Sequence, residues 1–147
     1  LFALPSQGPN QGNNMPGETD LKKILKSLAP IVLDDNYVFC TVAGAAYGDY
    51  VEAKPIASFS EREGLTLIVT QAHADEFGLA YEGLFSCISL QVHSSLESVG
   101  LTAAVAGKLA AHNISANIVA GYYHDHLFVP QAQASEAVTL LAELSRH

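Results

Sequence analysis

The run Tyr122-Tyr123-His124-Asp125-His126 is the densest group of side chains able to hold a metal, a proton or a charged ligand. His124 and His126 are two apart, so on an extended strand both imidazoles project to one face, as metal ligands do, while Asp125 turns to the other. His93 can join them across a sheet. No Cys or Glu has ligand spacing nearby. A metal site held by His124 and His126 is therefore the less favoured alternative, and no metal or cofactor is expected. Asp125 caps a hairpin turn, and the histidines are ligand contacts or partly solvated polar groups.

A second candidate lies in HSSLESVGLT, where a strand gives way to a helix at Gly100. Backbone can approach a ligand closely at such a glycine, and the amides of Gly100, Leu101 and Thr102 can receive a carboxylate. Gly100 is equally read as a residue that permits a tight turn and close helix packing. Ser95, in the preceding turn, joins the candidate contacts. Asn117, in the following strand, offers a carboxamide to a ligand's polar end or serves as an ordinary edge residue. Catalysis is not expected, because no nucleophile, base and orienting group are grouped together. Ser94 and Ser95 follow His93 without a G-x-S-x-G elbow, and neighbouring residues at a strand end point apart. The stretch Ala43 to Lys54, with Tyr47, Asp49, Tyr50 and Glu52, is long enough to cover a pocket but is read as a surface loop.

The elements that position these groups follow from periodicity. Leu21, Ile24, Leu25 and Leu28 form an amphipathic helix begun by Thr19 and Asp20 and stopped by Pro30. Tyr37 to Val42 reads as a strand, and PIASF and LTLIVT as a hairpin around the polar turn Ser60 to Gly64. Gln71 to Phe77 forms a short helix ended by Gly78. In the second half, Ser86 to His93 is predicted as a half-buried strand with Ile88, Leu90 and Val92 inward. A helix runs from Gly100 to about His112, with Leu101, Ala104, Val105 and Leu109 on one stripe. Ser115 to Tyr122 and His126 to Val129 are strands, and Ala137, Val138, Leu141 and Leu144 line a closing helix. The order β-α-β-β-α is a ferredoxin-like α+β plan, with helices on one face of an antiparallel sheet and the other face free to pair. The first half repeats part of that order, which suggests two related halves.

Roughly half of the 147 residues are apolar and 15% are charged, the balance of a chain that folds by burying surface. A net charge of −8 with seven Lys and Arg disfavours nucleic acid and anionic membranes as partners. The apolar runs are too short to cross a bilayer and no secretory signal is evident, so a cytoplasmic protein is expected. Cys40 and Cys87 lie in apolar strands and read as buried thiols. Residues 1–14 are rich in Gly, Pro, Asn and Gln and precede Met15, the single Met, so they are expected to be a tag or linker. The expected halves are residues 15–83 and 84–147.

The segment YEGLFSCISLQVHSSLESVGLTAAVAGKLAAHNISANIVAGYYHDHLFVP resembles the core of a family of small standalone ACT-domain proteins. GETDLKKILKSLAP, YVFCTV and SEREGLTLIVT resemble the amino-terminal half of the same family, so the similarity covers nearly all of Met15 to His147. The resemblance implies two ACT-like units that bind an amino acid at an interface between units and regulate metabolism as a homodimer, with no reaction of their own. The turn before the helix is longer than the short Asn- and Pro-containing turn of many regulatory ACT domains. The second half has no strand after its last helix, and the first has no helix between its first two strands. Swapped strands or dimer pairing would complete either unit.

Overall fold

The computed structural model describes residues 20–92 and 99–146. Helix α1 (Leu21–Lys26) starts where the Asp20 carboxylate accepts the Lys22 amide hydrogen at 3.0 Å, the arrangement that satisfies a free amide of the first turn. Its apolar stripe turns Ile24 and Leu28 into the interior. Ser27 ends it, donating its hydroxyl to the Lys23 and Ile24 carbonyls.

Strand β1 (Pro30–Val42) then runs for 13 residues, well beyond the Tyr37–Val42 expected from the β-rich residues. Its register against β4 (Phe85–Leu90) explains why the early part was not readable. Val32 lies opposite Ile88 and Asn36 opposite Ser86, so four steps of β1 span two steps of β4. The exposed Asp34 and Asp35 occupy this irregularity, where a bulge places polar residues that a regular ladder would not favour.

The remaining elements are β2 (Ala57–Glu61), β3 (Gly64–Thr70), α2 (Gln71–Glu76), α3 (Leu101–Ala110), β5 (Asn117–Ala120), β6 (Asp125–Pro130) and α4 (Ala134–Leu144). The strands form one sheet in the order β2-β3-β1-β4-β6-β5, antiparallel throughout. It contains two ferredoxin-like arrangements. In the first, β1-β3-β2 carry α2; in the second, β4-β6-β5 carry α3 and α4. A full ferredoxin-like sheet has a fourth strand beside its first, and here each first strand takes that place for the other arrangement. The chain thus supplies the missing strands itself through the β1–β4 pair.

Burial follows the alternation of each strand. On the helix side, Ile88, Leu90, Leu127 and Val129 pack with Leu101, Val105 and Leu109 of α3 and Ala137, Leu140 and Leu141 of α4. Ile24 and Leu28 belong to this cluster, so α1 packs on the second arrangement although it precedes β1. A separate cluster joins Val38, Cys40, Leu65, Leu67 and Val69 to Ala74 of α2. The opposite sheet face is not a bare polar surface: Tyr37, Ile68, Cys87 and Phe128 are buried there. Phe39 lies edge-on to Phe85 and Phe128 with ring centroids 5.1 and 5.4 Å apart, and each such pair contributes about 0.5–1.5 kcal/mol. Strand β4 is therefore buried on both faces rather than half-buried, down to Ser86 and Ser89. Burial also pushes the Cys87 thiol up to about 11, far from the thiolate form that reacts.

Because one sheet carries both helix-side clusters, the protein is expected to unfold as a unit. Ile88→Ala in one cluster and Val69→Ala in the other remove side chains that are 0% exposed. Each should lower the midpoint of a single urea transition followed by far-UV circular dichroism, with Ile88→Ala removing about 2–5 kcal/mol of unfolding free energy. Two separated transitions would show that the clusters fold independently.

Candidate functional site

Of the sequence candidates, Gly100, Leu101, Thr102 and Asp125 lie at the end of the sheet where β4 leaves it. Helix α3 begins there, its N-cap Gly100 left-handed at φ 104° and without a side-chain cap, and its first turn contains no acidic residue. The Ala104 amide donates to the Gly100 carbonyl at 2.8 Å, which leaves the amides of Leu101, Thr102 and Ala103 without an acceptor inside the helix. The Leu101 side chain belongs to the core at 4% exposure, so its backbone alone is available to a ligand; Thr102 is exposed.

Gly100 has a structural reason to be glycine. A Cβ there would lie 3.0 Å from Cδ2 of Leu21 in α1, and a φ of +104° strains any side-chain-bearing residue. The packing and turn reading of this residue therefore holds whatever binds the neighbouring amides.

Asp125 opens β6 opposite Leu90 and Ala120. That register puts it on the helix side of the sheet, at the same end as α3's N-terminus. His126 pairs with Ser89 and Val119 and so faces the other way, with His124 two residues earlier on the same side. The turn between β5 and β6 is held by the Gly121 amide donating to the His124 carbonyl at 2.9 Å. A Cβ on Gly121 would stand 2.8 Å from that carbonyl oxygen and 3.3 Å from His126 Nε2, so the glycine lets the imidazole lie against the turn. The rings of Tyr122 and Tyr123, in the same turn, meet edge-on with centroids 5.0 Å apart.

Burial raises the Asp125 carboxyl above its ordinary range, while His126 and His124 pull it back down. Burial lowers His126, His124 lowers it further, and Asp125 opposes both. Among the described residues, Nδ1 of His124 and of His126 is buried without a hydrogen-bond partner, and no group of three or more His, Cys, Asp or Glu is arranged to hold a metal.

Asn117 is not brought to this set. It pairs with Phe128, which belongs to the opposite face, and lies three steps along β6 from Asp125. Ser95 and His93 lie outside the described residues. The structure also reveals a feature that the sequence left as surface loop. The connection from Ala43 to Ile56, with a 3-10 turn at Val51–Ala53, borders a cavity of about 350 Å³ over the helix side of the β2–β3 hairpin. The cue was present in Tyr47, Tyr50, Val51 and Ile56, apolar residues at a frequency unusual for a solvated loop.

These features define an α+β protein of two ferredoxin-like arrangements sharing one antiparallel sheet. The chain belongs to the ACT-domain family: two ACT-domain profiles match in tandem, over residues 16–86 and 85–143. A solved Vibrio cholerae protein of unknown function, described as a possible transport protein, is 50% identical and superposes with a TM-score of 0.78 over 86% of this chain and 97% of its own. The regulatory subunit of aspartate kinase from Thermus thermophilus, in ligand-free form, shares the fold at 12% identity and a TM-score of 0.56, over 80% of this chain and 95% of its own. Escherichia coli aspartokinase III, solved with aspartate and ADP, does so at 14% and 0.59, over 82% of this chain and 33% of its own. No functionally curated protein sequence matches the chain. No helix among the described residues is long and apolar enough to cross a membrane.

Two outcomes follow from this geometry. Gly100→Ala is expected to cost about 1–3 kcal/mol from backbone strain alone, read as a lower urea midpoint. The lowered His126 makes the unfolded state the better proton acceptor, so stability present at neutral pH is lost as pH falls below 6.5, the ordinary His value. His126→Asn should flatten the fall in unfolding midpoint between about pH 7 and 5; an unchanged slope would assign it to other groups.

Proposed function

We propose that this protein is a non-catalytic regulatory ACT protein that binds a free amino acid at the β4–α3 end of the sheet. The observation that carries the reading is the pairing of opposite charge preferences there. The uncapped N-terminus of α3 favours an anion, and the partly buried Asp125 carboxylate at the same end favours a cation. An α-amino acid carries both charges on one carbon. Its carboxylate is received by the Leu101 and Thr102 amides beside Gly100 and its ammonium by Asp125, with Ser95 as a further contact; His124 and Asn117 lie on the opposite face and take no part. The protein acts in the cytoplasm as a homodimer whose partner copy completes the pocket, and its two units divide at residues 83 and 84.

The test is thermal unfolding against each of the twenty amino acids at millimolar concentration. A ligand at about a hundred times its dissociation constant adds roughly 2.7 kcal/mol, a shift of a few degrees. One amino acid or a close chemical group is expected to raise the midpoint, and Asp125→Asn should remove that shift while leaving the fold intact. No shift with any amino acid, together with a midpoint that depends on protein concentration, would favour an assembly module without a small ligand.

A further inference from the structure

We infer that the cavity beneath the Ala43–Ile56 connection is a second ligand site, for a small uncharged molecule that is mainly apolar and carries one hydrogen-bonding group. The second arrangement covers its sheet with α3 between its first two strands; the first has only a connection there, and the cavity occupies the place a helix would fill. At about 350 Å³ it lies at the low end of the roughly 300–1,000 Å³ of small-molecule sites.

The loop that forms it is built, not slack. Asp49 Oδ2 accepts the Ala46 amide at 2.7 Å, and the Asp49 amide donates to the Ala46 carbonyl at 2.9 Å. Ala53, fully buried, anchors the 3-10 turn in the core, and the Ile56 amide donates to the Ile68 carbonyl at 2.8 Å, tying the end of the loop to the hairpin.

The lining selects the ligand class. Leu65 and Leu67 of β3, Val51 and Ile56 of the connection, and the rings of Tyr47 and Tyr50 line it. None of the lining residues is charged, so a zwitterion would lose hydration from two charges with no partner for either. The tyrosine hydroxyls and the Ser58 hydroxyl supply the polar handle. Tyr47, Val51 and Ile56 are 82%, 63% and 43% exposed, an apolar concentration that a solvated loop would not keep and a bound ring would cover.

Indole is the probe. In a nitrogen-15 NMR titration of the full chain, millimolar indole is expected to shift the amides of residues 47–58, while zwitterionic tryptophan binds there about tenfold more weakly or less. Ser58 is exposed on the edge strand and faces the cavity side, opposite Leu67, so Ser58→Phe fills the space without disturbing the core. That variant should keep the wild-type unfolding midpoint and lose the indole shifts. Indole shifts that persist in Ser58→Phe, that fall elsewhere, or that are absent would overturn the site. So would shifts of the same amides on dilution alone, which would mean that a side chain of a second copy fills the cavity. The amino-acid site is read from residues 100–102 and 125, so either site can fail without the other.

Discussion

The antiparallel pairing of β1 with β4 is the contact on which the rest of this structure depends. Without it, β1-β3-β2 and β4-β6-β5 would each leave the first strand as an open edge, the kind of edge that recruits other chains. With it, the two arrangements become one six-stranded sheet. The cost is a slip in register between Val32 and Asn36, and the slip is local because Pro30, Ile31 and Val32 re-engage β4 while Tyr37 and beyond serve β3 as well. The same pairing draws α1 over the second arrangement, where Ile24 and Leu28 close its core.

That exchange also explains what could and could not be read from the residues. The β2–β3 hairpin, α2 and the second helix-strand-strand-helix run are local, and their periodicity, turns and caps state them directly. β1 is not local. Its early residues have the composition of a loop, Asp34, Asp35 and Asn36 among them, and they are extended because β4 is present, not because of their own propensity. Strand β4 shows the same limit. Ser89 imitates an outward position of a half-buried strand and Ser86 shares the inward face of Ile88, yet both are buried, because a central strand between β1 and β6 has an aromatic cluster on one side and helices on the other.

The candidate site was legible in type more than in arrangement. Alternation correctly separates Asp125 from His124 and His126, and the glycine at the helix start marks α3's uncapped end. The distance of Asn117 from that end was not accessible, since it depends on the β5–β6 register, in which Asn117 meets Phe128 rather than Asp125. Gly100 shows how two requirements fall on one residue. A Cβ would stand 3.0 Å from the Leu21 Cδ2, which would have to yield, and the left-handed φ of 104° itself strains any side chain, so glycine there reports on the turn and on α1 packing as well as on the amides it exposes.

The two arrangements differ in how they fill the space over their sheets. In the second, α3 fills it with Leu101, Val105 and Leu109 and leaves a polar, oriented helix end at the margin. In the first, a hydrogen-bonded loop with a single 3-10 turn leaves the space partly open and lines it with uncharged groups. A helix end sees charge, whereas an apolar recess excludes it. The two arrangements thus border environments of opposite polarity on either side of the β1–β4 pair.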